Sequence, residues 1–231
     1  MIYTEEIRVL TLDCYGTLID WETGITSSLQ TLLSNFGIFC DNEIILELYA
    51  GFESEIERNN FISYKKVLEE VGRKFCEYFS IPTNGVNELC ILNSFQNWEP
   101  FPDTIETLTL LKSKYKIVVI SNVDDDLFKI TSKKLKVEFD DVITSQQAKS
   151  YKPSLSIFKF ALEKLGVEPK DILHIAQSLY HDVKPAKELG IKAIWVNRRK
   201  DKKGTGATPF VEIHPDFEVP DLKSLVNLLI Y

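Results

Sequence analysis

The stretch that decides the fold is Arg8-Val-Leu-Thr-Leu-Asp13-Cys-Tyr-Gly16-Thr17-Leu18, an apolar run that ends in a carboxylate, a tight turn and a hydroxyl. The run from Val9 to Leu12 is uncharged and mostly aliphatic, which is typical of a parallel strand buried on both faces. Asp13 then falls at the carboxyl end of this strand, where open α/β sheets bind their ligands. The pattern therefore predicts an α/β protein with Asp13 in its functional site.

The turn after Asp13 suits a negatively charged centre. Gly16 permits a positive φ or a close backbone approach, so the main-chain N–H groups of the turn can face an anion. Thr17 adds a hydroxyl beside them. On this stretch alone a second interpretation stays open, in which Asp13 merely caps the helix that follows.

Composition limits the class of protein. The chain has 231 residues, 44% of them hydrophobic, which is enough for one core domain and a smaller second lobe. A net charge of −7 with scattered signs argues against a nucleic-acid partner. No stretch reaches the ~18 apolar residues of a membrane span, and residues 1–6 lack a targeting pattern, so we expect a cytoplasmic protein without a membrane partner. The four cysteines show neither disulfide nor zinc spacing.

Four successive segments with helical periodicity follow the first strand, at residues 25–36, 41–49, 61–79 and 86–95. Because no strand interrupts them, we predict a helical lobe of residues 21–97, inserted into a core of residues 1–20 and 98–231. The polar and aromatic turn at residues 20–24 is interpreted as a hinge. A lid in this position can exclude water and contact a substrate.

The remainder of the chain alternates strands and helices, which predicts a parallel sheet covered on both faces. Strands are predicted at 116–122, 142–144, 172–176 and 193–196, and helices at 105–111, 126–135, 154–165 and 183–189. Asp103 is predicted to cap the first of these helices. A basic surface loop at 199–209 precedes an edge strand at 217–219 and an Asp221-capped helix at 222–229.

Four motifs resemble those of the haloacid dehalogenase-like hydrolase superfamily. Asp13-Cys-Tyr-Gly-Thr-Leu resembles the first, whose Asp attacks the substrate and forms a covalent intermediate. Ser121-Asn122 resembles the second and Tyr151-Lys152-Pro153 the third, although by themselves these residues could be a helix cap and a surface lysine. His174-Ile-Ala-Gln-Ser-Leu-Tyr-His-Asp182 resembles the fourth. The resemblance spans nearly the whole chain and implies a Rossmann-like parallel sheet core with an inserted helical cap domain.

Two positions separate the branches of this superfamily. The phosphatases carry a second Asp two residues after the first, which protonates the leaving oxygen, and here that position is Tyr15. Their Mg²⁺-binding Asp falls on Gln177, an amide without the charge that a hard cation prefers. The resemblance is therefore to the 2-haloacid dehalogenase branch, and it implies a hydrolase that needs no metal and no other cofactor.

The mechanism implied by the resemblance is a two-step displacement on a small 2-substituted carboxylic acid. Asp13 would attack C2, and water activated by Asp182 would hydrolyse the resulting ester. Lys152 would lower the pKa of Asp13 and keep it ionised. The implied catalytic residues are Asp13, Thr17, Ser121, Lys152 and Asp182. The implied substrate contacts are Tyr15, Gly16, Asn122, Gln177, Ser178 and His181, with the turn amides and the Thr17 and Ser121 hydroxyls binding negative charge.

Substrate recognition departs from that branch. The dehalogenases use an Arg from the early cap, but residues 43–56 contain neither Arg nor Lys, and the place of Arg58 is open. The sequences around Trp21 and around His181 are similar to those of a subgroup that includes azetidine-carboxylate hydrolase, an enzyme that opens a strained C–N bond. Two alternatives remain: a Mg²⁺-dependent phosphatase that takes its acid from Asp124, Asp125 or Asp126, and a non-catalytic binding protein. Related enzymes alone suggest a homodimer.

Overall fold

A computed structural model describes residues 7–59 and 61–230. The core is one sheet of six parallel strands in the order β3-β2-β1-β4-β5-β6. Their bounds are β1 Val9–Leu12, β2 Lys116–Ser121, β3 Asp141–Thr144, β4 Ile172–Ala176, β5 Lys192–Val196 and β6 Phe217–Val219. The predicted Rossmann-like parallel sheet is confirmed, with β6 at its edge. Residues 1–6, whose sequence lacks a targeting pattern, lie outside the described residues.

The register of the central strands brings the predicted motifs together. β1 lies between β2 and β4, and Leu12 is level with Val119 and Ile175. All four residues of β1 are buried, because the sheet is covered by helices on both faces. Parallel strands in this register all end at the same edge of the sheet. Asp13, Ser121 and Gln177, which follow or end these strands, therefore meet at one edge.

After β1 the chain forms the helices of the inserted segment, α1 Trp21–Asn35, α2 Asn42–Glu57, α3 Tyr64–Tyr78 and α4 Cys90–Ser94, before it returns to the core. The predicted turn at residues 20–24 is wrong, because α1 already begins at Trp21; the hinge at this position stays a prediction. Asp20 caps this helix by accepting from the Thr23 backbone N–H (3.3 Å) and hydroxyl (2.8 Å). Trp21 is buried at the first helical position.

The core helices are α5 Thr104–Lys112, α6 Asp125–Leu135, α7 Ser145–Ala148, α8 Leu155–Leu165, α9 Lys184–Glu188 and α10 Leu222–Leu229. Two predicted helices differ from the observed ones. The segment 86–95 is divided into a 3₁₀ turn at Asn87–Leu89 and the short α4, and 183–189 is preceded by a π-helical turn at Leu179–Val183. Within the described residues, no helix has the length and apolar character that a membrane span requires.

Two further predictions fail because a tertiary partner outcompetes the local one. The Asp103 carboxylate does not cap α5; it pairs with the Arg198 guanidinium (3.0 and 3.1 Å) and accepts from the Leu222 N–H (2.8 Å). The segment 199–209 is not a simple surface loop, because Arg199 is buried against Glu22 of α1 and Glu43 of α2. This loop therefore ties β5 to the inserted helices.

Gly72 allows α3 to pack closely on the 3₁₀ turn at Asn87–Leu89. A Cβ at Gly72 would lie 2.0 Å from the Glu88 carbonyl oxygen, which is a backbone atom and cannot rotate away. We therefore expect Gly72→Ala to lower the free energy of unfolding by about 1–3 kcal/mol in urea denaturation. Gly51→Ala in α2 is the matched control, since its Cβ would meet nothing within 4 Å and should stabilise by about 0.5–1 kcal/mol. Equal effects of the two substitutions would contradict the close contact.

Candidate active site

Asp13 is held at the end of β1 by two donors. Its Oδ2 accepts from the Thr17 hydroxyl at 2.6 Å, and its Oδ1 accepts from Lys152 Nζ at 2.7 Å. The tight turn that follows makes the first bond, because Leu18 and Ile19 donate back to the Cys14 carbonyl and bring Thr17 over the carboxylate. Both oxygens of Asp13 are thereby oriented, and the carboxylate remains beside a cavity.

Lys152 joins the third and fourth motifs to Asp13. Its Nζ donates to Asp13 Oδ1 and Asp182 Oδ1, both at 2.7 Å, and to the Ile120 carbonyl at 2.9 Å. The side chain is 2% exposed, so these three acceptors replace its hydration. Asn122 holds the lysine backbone in place, accepting from its N–H (2.7 Å) and donating to its carbonyl (3.0 Å). The alternative of a surface lysine is therefore wrong.

Burial and neighbouring charges shift the pKa values of both Lys152 and Asp13. Burial would lower the pKa of Lys152, but the two carboxylates outweigh it and raise that pKa, so the ammonium stays charged. Burial raises the pKa of Asp13, and the charge of Asp182 adds to this rise while Lys152 opposes it. Lys152 lowers the pKa of Asp13, as predicted, but the net pKa is raised. The main cause is burial, and the charge of Asp182, which shares the same ammonium, adds to it.

Asp182 accepts a hydrogen bond from a buried histidine, His174, which the sequence motifs did not identify as a site residue. His174 Nε2 donates to Asp182 Oδ1 at 2.9 Å, and its Nδ1 is 2.9 Å from the Thr11 hydroxyl. Phe158 packs edge-on against the imidazole, with ring centroids 5.2 Å apart. Burial would raise the pKa of Asp182, but Lys152 and the His174 hydrogen bond keep it below the usual value. A single histidine inside the otherwise apolar strand β4 was the available sequence signal.

The substitution His174→Phe tests this support. Phenylalanine keeps the volume of the ring but loses both hydrogen bonds, which leaves the Thr11 hydroxyl without its side-chain partner and Asp182 with Lys152 alone. We expect a loss of about 1–3 kcal/mol in the free energy of unfolding. The measurement is urea denaturation, with the exposed His214→Ala as a control that should change stability by less than about 0.5 kcal/mol. An unchanged His174→Phe protein would mean that the hydrogen bonds add nothing to the fold.

A small cavity of about 30 Å³ lies next to Asp13. The predicted residues Tyr15, Ser121, Asn122, Lys152, Ser178, His181 and Asp182 line it together with Asp13. Ser121 Oγ and His181 Nε2 are buried there and have no hydrogen-bond partner among the described residues. Burial lowers the pKa of His181 to about 4, so its imidazole is neutral at pH 7. The cavity therefore offers unused polar atoms to a ligand.

Several predicted substrate contacts are engaged elsewhere. The Gly16 N–H donates to the Ile19 carbonyl at 2.8 Å and is not free for a ligand. Gly16 and the Gln177 side chain line a neighbouring cavity instead of the one at Asp13. Thr17 gives its proton to Asp13 and accepts from the Gln177 N–H (2.8 Å), so it orients the carboxylate. The amide of Asn122 is likewise occupied by the Lys152 backbone.

The substitute acids suggested for a phosphatase are also bound elsewhere. The Asp124 carboxylate accepts from the backbone N–H groups of Tyr64 and Lys65, both at 3.0 Å, and so anchors the start of α3. Asp125 accepts from the Thr144 hydroxyl (2.6 Å), and Asp126 pairs with Lys65 (2.6 Å). None of the three lines the cavity at Asp13. The Tyr15 hydroxyl bonds Thr131 (2.9 Å), so it does not replace the missing acid either.

The site does not fit a magnesium ion. Asp13 and Asp182 each use one oxygen on the Lys152 ammonium, and the other Asp13 oxygen is taken by Thr17. The position of the expected third ligand is Gln177, whose side chain faces another cavity. In residues 7–59 and 61–230 no three His, Cys, Asp or Glu side chains are grouped to bind a metal. The ammonium thus occupies the position between the carboxylates that a cation would need.

The inserted helices contribute residues that sequence reasoning did not assign. Trp21, Glu53 and Tyr64 from α1, α2 and α3 line the cavity opposite Asp13, and Thr208 reaches it from the 199–209 loop. Arg58 is exposed and its guanidinium is 3.5 Å from the Tyr180 hydroxyl, outside this cavity. No local pattern marks these residues, because each reaches the site only through packing of the helices on the sheet.

The fold and the site are those of a class of α/β enzymes. Enzymes of this class carry a carboxylate after the first strand, beside a buried lysine and below inserted helices. The chain belongs to the haloacid dehalogenase-like hydrolase family, which matches residues 7–190. The predicted family and the prediction of a hydrolase are thereby confirmed. The four motifs quoted from the sequence all fall within the matched range.

The similar proteins include both dehalogenases and phosphatases. (S)-2-haloacid dehalogenase 4A of Burkholderia cepacia is 27% identical over 231 residues, covering 97% of this chain and 93% of its own length. Glyceraldehyde 3-phosphate phosphatase of Methanocaldococcus jannaschii is 31% identical over 135 residues, 56% of each protein. The structure of L-2-haloacid dehalogenase from Xanthobacter autotrophicus with chloropropionic acid covalently bound superposes with a TM-score of 0.80 at 20% identity, covering 96% of this chain and 98% of that one. This superposition shows a shared fold.

Proposed function

We propose that the protein is a hydrolase that displaces a leaving group from C2 of a small 2-substituted carboxylic acid through an ester on Asp13. The observation that carries the proposal is the orientation of the Asp13 carboxylate, held by Lys152 Nζ at 2.7 Å and Thr17 Oγ1 at 2.6 Å beside a cavity. The similarity to (S)-2-haloacid dehalogenase 4A over nearly the whole chain supports the same chemistry.

In the first step a carboxylate oxygen of Asp13 forms a bond to C2 while the bond from C2 to the leaving group breaks. The electron pair of the broken bond goes to the leaving atom, which departs as a halide or, in a strained ring bound in protonated form, becomes an amine that stays attached to the opened chain. Attack from the opposite side inverts C2. The unpaired Ser121 hydroxyl is placed to donate to the substrate carboxylate.

In the second step water adds to Cγ of the Asp13 ester and releases the 2-hydroxy acid. The hydroxyl oxygen of that product comes from Asp13, and a water oxygen takes its place in the carboxylate. Asp182 is buried, ionised and lines the cavity, so it is placed to orient this water. Lys152 offsets the negative charge that builds on the ester carbonyl. Neither step requires a metal or an organic cofactor.

We also propose that residues 21–97 act as a cap on a core formed by residues 1–20 and 98–231. The cavity at Asp13 has a volume of about 30 Å³, which is room for about two waters. A small acid therefore enters only after α2 and α3 separate from the strand ends. Closure then excludes bulk water from the first step.

A single-turnover reaction in H₂¹⁸O tests the covalent route. With enzyme in excess over 2-chloropropionate or azetidine-2-carboxylate, the first product should contain ¹⁶O at C2, and ¹⁸O should appear in the peptide that carries Asp13. Product that contains ¹⁸O in the first turnover would mean direct attack by water and would overturn the ester. Turnover of p-nitrophenyl phosphate that EDTA abolishes would favour the phosphatase, and no turnover with tight ligand binding would favour a binding protein.

A further inference from the structure

The cap places a buried carboxyl group opposite Asp13. Glu53 of α2 is 3% exposed and lines the same cavity as Asp13 and Asp182. Its Oε1 accepts from the hydroxyls of Tyr49 (2.8 Å) and Tyr64 (2.9 Å). Two tyrosines from different helices therefore fix the orientation of this side chain. The proposed reaction does not use it.

Glu53 has no cationic partner in the described chain. Among the described residues that line the cavity, Lys152 carries the positive charge. It forms ion pairs with Asp13 and Asp182. Glu53 Oε2 receives no hydrogen bond from a described residue. Burial raises the pKa of Glu53 to about 7, which shows how poorly the charge is compensated. One helical turn later, Glu57 adds a second carboxyl whose Oε1 is buried without a partner.

Unpaired polar atoms line the same cavity. Ser121 Oγ and His181 Nε2 have no hydrogen-bond partner among the described residues, and both side chains are more than nine-tenths buried. Buried polar groups without partners are costly, so a set of them around one cavity points to a polar ligand. Here the Ser121 hydroxyl suits a carboxylate, and the free oxygen of Glu53 suits an N–H group or a cation.

We propose that Glu53 determines substrate specificity by binding a protonated amine of the substrate, so that the site selects small zwitterionic acids over simple haloacids. This inference rests on the proposed function and adds the chemical class of its substrate. A carboxylate in the cap attracts the ammonium, and the neutral Ser121 hydroxyl donates to the substrate carboxylate. The absence of Arg and Lys from residues 43–56 then has a reason, because a cation there would repel such a substrate.

The test compares two acids of the same ring size. Azetidine-2-carboxylate carries a ring nitrogen that cyclobutanecarboxylate lacks, and binding is measured by calorimetry in the Asp13→Asn protein, which cannot form the ester. We expect the nitrogen-containing acid to bind at least about tenfold more tightly, as for a hydrogen bond to a charged group. Adding Glu53→Gln should reduce this preference to about twofold or less, since the amide still accepts from both tyrosines but has no charge.

Glu47→Gln is the matched control, because Glu47 lies on the same helix with its side chain exposed. It should leave the preference unchanged. Equal binding of the two acids, no binding of the nitrogen-containing acid, or a preference that survives Glu53→Gln would overturn the assignment of Glu53. The ¹⁸O experiment reports separately on the ester, so a preference that depends on Glu53 without an Asp13 ester would overturn only the proposed function.

Discussion

Asp13→Asn is expected to lower kcat by about 10⁴-fold or more, as the loss of a catalytic nucleophile does in other hydrolases. The amide is nearly isosteric with the carboxylate, its oxygen can still accept from Lys152, and its NH2 group can donate to the Thr17 hydroxyl, so the fold should survive. It is a far weaker nucleophile, and no ester should accumulate. The measurement is the initial rate of halide release, or of formation of the ring-opened amino acid, under saturating substrate, together with mass spectrometry of the intact protein.

Asp201→Asn serves as the control for a change of one charge. Asp201 is exposed in the 199–209 loop and does not line the cavity at Asp13. The kcat of the Asp201→Asn variant should therefore match that of the unaltered protein. If Asp13→Asn retained more than a tenth of the activity, Asp13 would not be the attacking group. The carboxylates left in the cavity, Asp182 and Glu53, would then have to be tested in the same way.

Lys152→Met is expected to lower the free energy of unfolding by about 3–5 kcal/mol at pH 7, the usual cost of removing one partner from a buried ion pair. Two buried carboxylates, Asp13 and Asp182, lose the ammonium that each contacts at 2.7 Å. Their mutual repulsion is then uncompensated, and turnover should fall with stability. The measurement is urea denaturation followed by circular dichroism.

The pH dependence of this loss has a definite sign. In the unaltered protein the pKa of Asp182 is held below its usual value, so its contribution to stability is present above the unfolded pKa and is lost as pH falls through the folded one. The Lys152→Met variant lacks this contribution, so the difference in free energy of unfolding between the two proteins should become smaller at acid pH. Lys164→Met, which removes a half-exposed pair with Asp141, should cost less than about 1 kcal/mol at any pH. A similar cost for both lysines would mean that Lys152 is hydrated in solution.

Residue patterns predicted the elements that form from local information. The apolar runs around Leu10, Val118 and Ile175 predicted the strands, and their alternation with helices predicted a parallel sheet. Predictions failed where a distant partner changed a local preference. Asp103 pairs with Arg198 instead of capping α5, and Arg199 of the predicted surface loop is buried against Glu22 and Glu43.

The sequence by itself determined the family, the sheet and the position of Asp13 at a strand end, because strand periodicity and short motifs are encoded within a few consecutive residues. Tertiary structure alone decided the remaining surroundings of Asp13. His174 reaches Asp182 from strand β4, and Glu53 lines the same cavity through helix packing. Such contacts depend on how whole helices and strands pack, and burial then sets the charge of each group. No pattern of neighbouring residues contains that information.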